Sequence, residues 1–340
     1  MMRRAAVIVL LAGAALAAGA QAAEPPKFPD DLFMGEYAGT FAPAAGPAGK
    51  AEAKVYPVQD GYMVVLLVPP AEGKGGAKRL ELKGKVEGDK LTVGGAAAGA
   101  EWSGTLAGKQ LAVSAAGESG GKFDLKWQDR KSPTLGEKPP AGAIVLLPFE
   151  EGKPPSLEAW ANDTWLALSD GSMMKGKGDN GTKQEFGSVR LHLEFMTPYE
   201  PAASGQDRGN SGVYLQDRYE IQVLDSFGLE SKNNDCGGIY RVAAPKVNAC
   251  LPPGRWQTYD ITFTAPRFDA SGKKTASAQV TVIHNGAVIH QDRKIPGPTG
   301  GARSKTEVAV APLRLQDHIN LVRFRNIWVV ELKAAEESAK

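Results

Sequence analysis

The sequence has almost no excess charge of either sign, and this absence narrows the classes of ligand. The 340 residues include 40 Lys+Arg and 38 Asp+Glu, a formal net charge of +2. Arg3 and Arg4 account for the surplus, because residues 1–22 contain no acid, and the halves on either side of Lys138 are then formally neutral. Nonspecific nucleic-acid binding and polybasic membrane anchoring both need a basic surplus. We therefore expect no nucleic-acid partner and an uncharged polyhydroxy ligand, held by hydrogen bonds.

Long apolar runs are also lacking, apart from one at the N-terminus. Met1–Arg4 is a short positive stretch, Ala5–Ala18 is apolar or small throughout, and Ala20–Ala22 fits the A-x-A cleavage pattern. This order is typical of a signal peptide, here residues 1–22, and the apolar run is shorter than the ~20 residues of a spanning helix. No later segment could span a bilayer, so we expect the mature protein in the periplasm or outside the cell.

Cysteine is scarce, with only Cys236 and Cys250 in the chain. In an oxidising compartment the two are expected to form a disulfide that closes a loop of about 15 residues and contributes about 3 kcal/mol. Two separate buried thiols are the alternative. The four histidines are scattered and show no zinc-ligand spacing with the cysteines.

Amphipathic helical periodicity is nearly absent, whereas glycine (40 residues) and proline (23) are frequent. Short alternating segments separated by turn residues predict an all-β chain. We expect a small antiparallel β domain over residues 23–131, a Pro/Gly-rich linker over 132–142, a β-sandwich over 143–333 and a tail over 334–340. Asn285-Gly286 predicts a hairpin turn in the sandwich, because both residues accept positive φ.

The segment Asn210–Asp225 carries the clearest candidate site. Side chains alternate along a strand, so Tyr219, Ile221 and Val223 should face the core while Glu220 and Gln222 face the other way. The preceding strand would place Tyr214 on that polar face, with Asn210 near its start. Apolar and polar residues alternate again later in the chain. This pattern predicts that a second set of polar side chains also faces away from the core: Arg314, Gln316, His318, Arg323 and Arg325.

If these strands share one sheet, amides, carboxylates and guanidinium groups lie side by side, as in a sugar-binding groove. Tyr214 or Tyr240 would supply an aromatic surface for stacking. A solvated sheet face of no function is the alternative for any single residue. Asn, Gln and His are less expected on such a face than Thr, Lys and Glu, which favours a binding site.

At these residues the sequence resembles the 3-keto-disaccharide hydrolase family, over about Gly142 to Leu332. The similar segments, in chain order, are Asn210–Asp225, Gly237–Pro245, Asn248–Ile261, His284–Ile289 and Leu313–Val329. The resemblance implies a concanavalin A-like jelly-roll sandwich. It also implies cleavage of glycosides that a separate oxidoreductase has oxidised at C3.

A 3-ketone acidifies the C2 proton, so a base can remove it and the C1 oxygen can leave by β-elimination. Water then adds to the enone, which gives net hydrolysis without paired glycosidase carboxylates. We expect Glu220 or His318 as base or acid, with Asp225 as a further catalytic candidate. Substrate-binding roles are expected for Asn210, Tyr214, Gln222, Tyr240, Gln316, Arg323 and Arg325.

Two alternatives concern cofactor and activity. A divalent metal held by Glu220, Asp225 and His318 could polarise the ketone. The same fold and polar face could instead belong to a non-catalytic carbohydrate-binding envelope protein, since fold alone does not determine function.

Overall fold

The computed structural model describes residues 22–68 and 77–333 of the chain. The predicted tail and all but the last residue of the predicted signal peptide lie outside these ranges. Within them, the helical structure is one 3₁₀ turn, Gly205–Asp207, and no helix is long and apolar enough to cross a membrane. The predicted all-β fold class is confirmed.

The N-terminal strands form a closed barrel, in which each strand pairs with the next and the last pairs with the first. Leu80 and Leu82 point inward between exposed charged residues, as the alternation of their strand predicts. Gly39 permits closure, because a Cβ there would overlap the backbone carbonyl of Asp124 on the opposing strand. The strands are β1 (Gly35–Pro43), β2 (Gly49–Val58), β3 (Gly61–Val68), β4 (Lys78–Glu87), β5 (Lys90–Ala97), β6 (Ala100–Ala107), β7 (Gln110–Ala115) and β8 (Gly121–Gln128).

The rest of the described chain is a sandwich of two main sheets and a small two-stranded ribbon. Its strands are β9 (Ile144–Leu147), β10 (Leu166–Ala167), β11 (Met173–Met174), β12 (Asn180–Phe186), β13 (Val189–Met196), β14 (Ser211–Leu215), β15 (Tyr219–Val223), β16 (Gln257–Thr264), β17 (Arg267–Phe268), β18 (Lys274–Ala276), β19 (Gln279–His284), β20 (Ala287–Lys294), β21 (Ala311–Leu315) and β22 (Arg323–Glu331).

The larger sheet has the order β10-β11-β22-β13-β16-β19-β20, and β9 also pairs with β22. The smaller sheet has the order β12-β21-β14-β15, while β17 and β18 pair separately. Apolar side chains from the inner faces of both sheets form one continuous core. The predicted hairpin turn is present between β19 and β20, with φ of 49° at Asn285 and 83° at Gly286.

The barrel packs directly on the sandwich. Tyr56 and Val65 belong to the same buried cluster as Phe227 of the sandwich. Arg130, just after the barrel, donates to Glu36 at 2.6 and 2.9 Å and to the carbonyl oxygen of Cys250 at 3.0 Å. These contacts join the barrel to the chain segment that ends at Cys250.

The predicted linker segment, residues 132–142, lies against the outer face of the larger sheet. The Ser132 hydroxyl is 2.6 Å from the Thr258 hydroxyl, and the Gly136 N–H donates to Glu194 at 2.6 Å. The segment also covers His192, which lies 2.6 Å from Asp260. The two neighbouring carboxylates raise the pKa of His192 to about 9, against the effect of burial.

Candidate active site

The register of the smaller sheet brings together the polar residues of three strands. Tyr214 on β14 pairs with Glu220 on β15 and with Arg314 on β21. Their neighbours along the strands, including Ile221 and Leu315, face the buried core. Because alternate side chains point to opposite faces, Tyr214, Glu220 and Arg314 share the outer face of this sheet.

Glu220 is the buried carboxyl group of this site. Its residue is 2% exposed, and its Oε2 atom has no hydrogen-bond partner. Burial raises the pKa of Glu220 to about 7, although the Tyr214 hydroxyl and the Arg314 charge oppose the shift. A carboxyl group with this pKa is half ionised near neutral pH, which suits proton transfer to and from carbon.

Arg314 provides the positive charge beside Glu220 and was absent from the predicted binding set. Its guanidinium carbon lies 3.6 Å from the centre of the Tyr214 ring, and it forms ion pairs with Asp179 and Asp217. It also donates to the carbonyl oxygen of Gly301 at 2.9 Å. Alternation had already placed Arg314 on the polar face, so the sequence contained the signal that identifies it.

Side-chain amides continue the site along β14 and β15. In the amide orientation that satisfies its neighbours, Gln222 donates to Glu220 Oε1 at 3.1 Å and to the carbonyl oxygen of Ser211 at 2.7 Å. Asn210 donates to the carbonyl oxygen of Gln206 at 2.7 Å, and its own buried Oδ1 has no partner. Asn210 therefore presents an unused acceptor, and Gln222 holds the Glu220 carboxyl group in place.

A glycine-containing segment, Pro296–Arg303, covers this face. The Glu220 N–H donates to the Thr299 hydroxyl at 3.1 Å, which fixes the segment to the edge of β15. Gly300 lies against the Tyr240 ring, and a Cβ at Gly301 would overlap the Tyr214 hydroxyl. Sequence reasoning missed this cover, because its composition indicates only a turn.

Gln316 and His318 come directly after β21 in the chain. The Gln316 amide donates to the Tyr214 hydroxyl at 3.2 Å. The Nδ1 atom of the partly exposed His318 is buried and has no partner. Asp317 between them is bound by Lys175 at 2.5 Å, so its carboxylate is already neutralised. The structure thus brings Gln316 to Tyr214 and leaves one His318 nitrogen available.

The expectation that Arg323 and Arg325 share this face is wrong, because β22 belongs to the larger sheet. Arg323 forms an ion pair with Asp170 at 2.7 Å, and Arg325 forms one with Glu194 at 2.6 Å. Alternation assigns a side chain to a face of its own strand but says nothing about which sheet the strand joins. Both arginines are bound on the outer face of the other sheet.

The proposed metal ligands Glu220, Asp225 and His318 are not brought together. Asp225 is buried and forms an ion pair with Arg208 at 2.6 Å, so its charge is neutralised. Among the described residues, two groups have three ligand atoms within 4.8 Å of one another, and neither contains these residues. Asp225 therefore anchors the end of β15 through Arg208.

The predicted disulfide is not formed in the structure, where Cys236 and Cys250 are free, buried thiols. Their sulfur atoms lie within 4.8 Å of each other, close in space but not at the 2.05 Å of a disulfide bond.

Comparison with known proteins found solved structures similar to part of this chain. A crystal structure from Parabacteroides distasonis, provisionally described as a glycosyl hydrolase, is 36% identical, with a TM-score of 0.51. It covers 57% of this chain and 85% of its own. A second structure from that organism with the same description is 16% identical, has a TM-score of 0.42, and covers 56% and 95% of the two chains.

We found no relative of the chain among curated proteins. The family model described as the 3-keto-alpha-glucoside-1,2-lyase-like domain matches residues 142–330, which include the whole candidate site and more than half of the chain. The resemblance inferred from the motifs is confirmed, and the chain belongs to this family of 3-keto-disaccharide hydrolase domains.

Proposed function

We propose that this protein is an exported enzyme that cleaves 3-keto-glycosides, including 3-keto-disaccharides, by C2 deprotonation, β-elimination and hydration. The observation that carries the proposal is the buried, unpaired Oε2 atom of Glu220 beside a phenol and a guanidinium group. The family match supports a carbohydrate-acting enzyme, and its family name supports a 3-keto substrate.

In the first step Glu220 removes the C2 proton, and the electron pair moves onto the C3 oxygen as an enolate. The raised pKa of about 7 suits this role, because the carboxylate is basic enough to accept a carbon-bound proton and is still ionised near neutral pH. The Gln222 amide, 3.1 Å from Oε1, orients the carboxylate so that Oε2 faces the substrate.

The developing enolate needs positive charge and hydrogen-bond donors close by. Tyr214 provides an un-ionised hydroxyl donor, since burial and the nearby Glu220 carboxylate raise the Tyr214 pKa far above its usual value. Arg314 adds a guanidinium group stacked on the Tyr214 ring, and it shares its charge with its ion-pair partners Asp179 and Asp217. Arg314 takes the place that the sequence had given to Arg323 and Arg325.

In the second step the enolate collapses to an enone, and the C1–O bond breaks. The leaving oxygen takes a proton from an acid, for which we propose His318, because its Nδ1 atom has no other partner. Water then adds its oxygen to C1 and gives its proton back to His318. Glu220, whose proton exchanges with the solvent that enters for this step, protonates C2. Asn210, Gln316 and Tyr240 would hold sugar hydroxyls and the ring.

Substrate reaches Glu220 only if the Pro296–Arg303 segment opens, since Gly300 and Gly301 lie on Tyr240 and Tyr214. Closure after binding would exclude water until the glycosidic bond has broken. We propose further that the enzyme acts in the periplasm or outside the cell. An upstream sugar 3-oxidoreductase would supply its substrate.

The test is incubation of the purified protein with 3-keto-trehalose or an aryl 3-keto-glucoside, with and without chelator. We expect release of 3-keto-glucose or free aglycone by the wild type and a loss of about 10²–10⁴-fold for Glu220→Gln. Glu185→Gln, an exposed glutamate of the same sheet, is the matched control and should keep full activity.

Normal turnover by Glu220→Gln would overturn the assignment of the base. Binding of unoxidised glycans without any product from 3-keto substrates would overturn the enzymatic proposal and support a carbohydrate-binding protein.

A further inference from the structure

A second cluster of side chains, each able to act as a metal ligand, lies inside the sandwich, away from the Glu220 carboxyl group. Cys236, Cys250 and His284 come from three separate parts of the chain and are 3%, 1% and 1% exposed. One ligand atom from each lies within 4.8 Å of the other two. Sequence spacing gave no sign of this cluster. The pairing of β16 with β19 places His284 beside Tyr259, whose hydroxyl lies 3.2 Å from Cys236 Sγ.

The hydrogen bonds of His284 determine which ring nitrogen is free. Its Nε2 atom is 3.0 Å from Gln257 Oε1, an oxygen that already accepts from the Leu251 N–H at 2.9 Å and from the Asn285 amide at 3.2 Å. An oxygen surrounded by donors requires a proton on Nε2. A neutral ring that carries its proton on Nε2 has its lone pair on Nδ1.

That Nδ1 atom is on the side of the cysteines. The position that a Cβ would take at Gly237, the residue after Cys236, is 3.9 Å from His284 Nδ1. A histidine ligand whose other nitrogen donates to an amide or carboxylate oxygen is the usual arrangement at protein metal sites, because the outer bond fixes the tautomer and the ring orientation. At His284 the outer bond is the one from Nε2 to Gln257 Oε1.

The two free thiols lie within reach of a shared metal ion. Bonds of 2.3 Å from a metal to two sulfurs place the sulfurs about 3.8 Å apart at the tetrahedral angle, whereas a disulfide requires about 2.05 Å. The described ligand atoms all lie within 4.8 Å of one another, which is compatible with the separations at a metal ion. Thiolate and imidazole ligands select thiophilic cations such as Zn²⁺ and Cu⁺.

We propose that Cys236, Cys250 and His284 bind one thiophilic d¹⁰ cation, Zn²⁺ or Cu⁺, in a buried site with three protein ligands. Binding releases the two thiol protons. Zn²⁺ compensates the charge of both thiolates, whereas Cu⁺ compensates one of them. The site is independent of the reaction at Glu220.

Such a site would secure the segment that borders the active site. Residues 236–250 include Gly238 and Tyr240, and this segment runs beside β15 through bonds from the Gln222 N–H to Gly238 and from the Tyr240 N–H to Glu220. His284 ends β19 of the larger sheet. A bound cation would therefore tie the border of the smaller sheet to the larger sheet and hold Tyr240 in place.

The first experiment uses the wild-type full chain, expressed with zinc or with copper and purified without oxygen. We expect one Zn²⁺ or Cu⁺ per chain by elemental analysis and two titratable thiols after unfolding in chelator. Comparing the protein expressed with zinc and the protein expressed with copper after dialysis identifies the ion that stays bound. Isolation from the periplasm with no metal and no titratable thiol would show a disulfide and overturn the proposal, as would two thiols without bound metal.

The second experiment uses Co²⁺ as a spectroscopic probe. Co²⁺ bound to two thiolates should give sulfur-to-metal charge-transfer absorption, and Cys250→Ser and His284→Asn should each lose at least tenfold in cobalt affinity. His290→Gln is the matched control: His290 is buried nearby and its Nε2 donates to the Gly237 carbonyl oxygen at 2.7 Å, so this variant should bind cobalt normally.

Circular dichroism at the binding temperature would establish that each variant is folded. If the variants fail to fold, the wild-type metal and thiol counts still decide the question. Unchanged cobalt affinity in folded Cys250→Ser would contradict the site, while the activity at Glu220 could still be normal.

Discussion

The barrel and the sandwich are both antiparallel β structures, but they bury different chemistry. Among the described residues, every buried charged or polar side chain other than the aromatic ones lies at Ser132 or beyond, in the sandwich and the segment before it. The barrel interior consists of aliphatic and aromatic side chains, with Trp102, Phe41 and Phe123 packed together. The barrel and the sandwich are built from similar strands. They differ in the type of side chain at their buried positions.

This difference indicates different roles. An apolar interior gains stability by burial alone, whereas a buried carboxyl group with an unpaired oxygen, as in Glu220, costs stability and is expected where function requires it. We infer that the barrel stabilises and supports the sandwich, and that the sandwich holds the reactive groups. Substitutions in the barrel should therefore change stability, whereas substitutions at the Glu220 face should change activity.

The largest expected effect is that of Glu220→Gln on activity. The amide cannot accept the C2 proton, so kcat should fall by about 10²–10⁴-fold on a 3-keto-glucoside. Thermal unfolding should show a Tm equal to or above that of the wild type at pH 8, because the substitution removes a buried charge. A large fall in both Tm and activity would show that Glu220 is structural.

The converse effect is expected in the barrel. Phe123 is fully buried and stacks on Phe41 with ring centres 4.4 Å apart. Phe123→Ala should lower the free energy of unfolding by about 3–5 kcal/mol, measured by urea denaturation, while kcat/KM of the folded fraction stays unchanged. Lys122→Ala, at the exposed neighbouring position, should change stability by less than about 0.5 kcal/mol. Loss of activity at unchanged stability would mean that the barrel takes part in the site.

The pH dependence should also differ between activity and stability. Since Glu220 must be ionised to act as a base, kcat/KM should fall about tenfold per pH unit below its pKa of about 7. Stability has the opposite sign: the folded state holds this proton more tightly than the unfolded chain, so the contribution of the group decreases as pH rises from 4.5 through about 7. Urea denaturation of the wild type and Glu220→Gln across this range should show the difference, and parallel stability curves would contradict it.

The smallest expected effect distinguishes two adjacent glycines of the covering segment. A methyl group at Gly301 would overlap the Tyr214 hydroxyl, whereas one at Gly300 would make an ordinary contact of 3.4 Å with the Tyr240 ring. We expect Gly301→Ala to lower kcat/KM about tenfold by preventing closure, with Gly300→Ala close to wild type. Equal kinetics for the two variants would show that the segment does not close over bound substrate.

The sequence was sufficient for the parts of the site that local alternation determines. Tyr214, Glu220 and Gln222 share a face because they lie on two consecutive strands whose periods are read directly from the chain. The Asn285-Gly286 turn follows from the backbone preferences of two residues. The extent of the family resemblance, from about Gly142 to Leu332, agrees with the match to residues 142–330.

Long-range placement could not be predicted in the same way. The alternation of β22 is the same whichever sheet it joins, so Arg323 and Arg325 were assigned to the wrong face. Arg314 on β21 is the arginine that lies over the Tyr214 ring. Contacts across many residues, such as Thr299 with Glu220 or His284 with the cysteines, depend on loop paths that no local pattern encodes. These are the features for which the three-dimensional structure was needed.

The most direct test of the central claim follows the hydrogen at C2 of the substrate. A 3-keto-glucoside is incubated with the wild type in D₂O, and recovered product is compared with unreacted substrate and with a Glu220→Gln reaction by mass spectrometry and NMR. Removal of the C2 proton by Glu220, followed by hydration, predicts one solvent-derived deuterium at C2 of the 3-keto-glucose formed by the wild type. Product that keeps its original C2 hydrogen, formed at a rate that Glu220→Gln does not change, would contradict it.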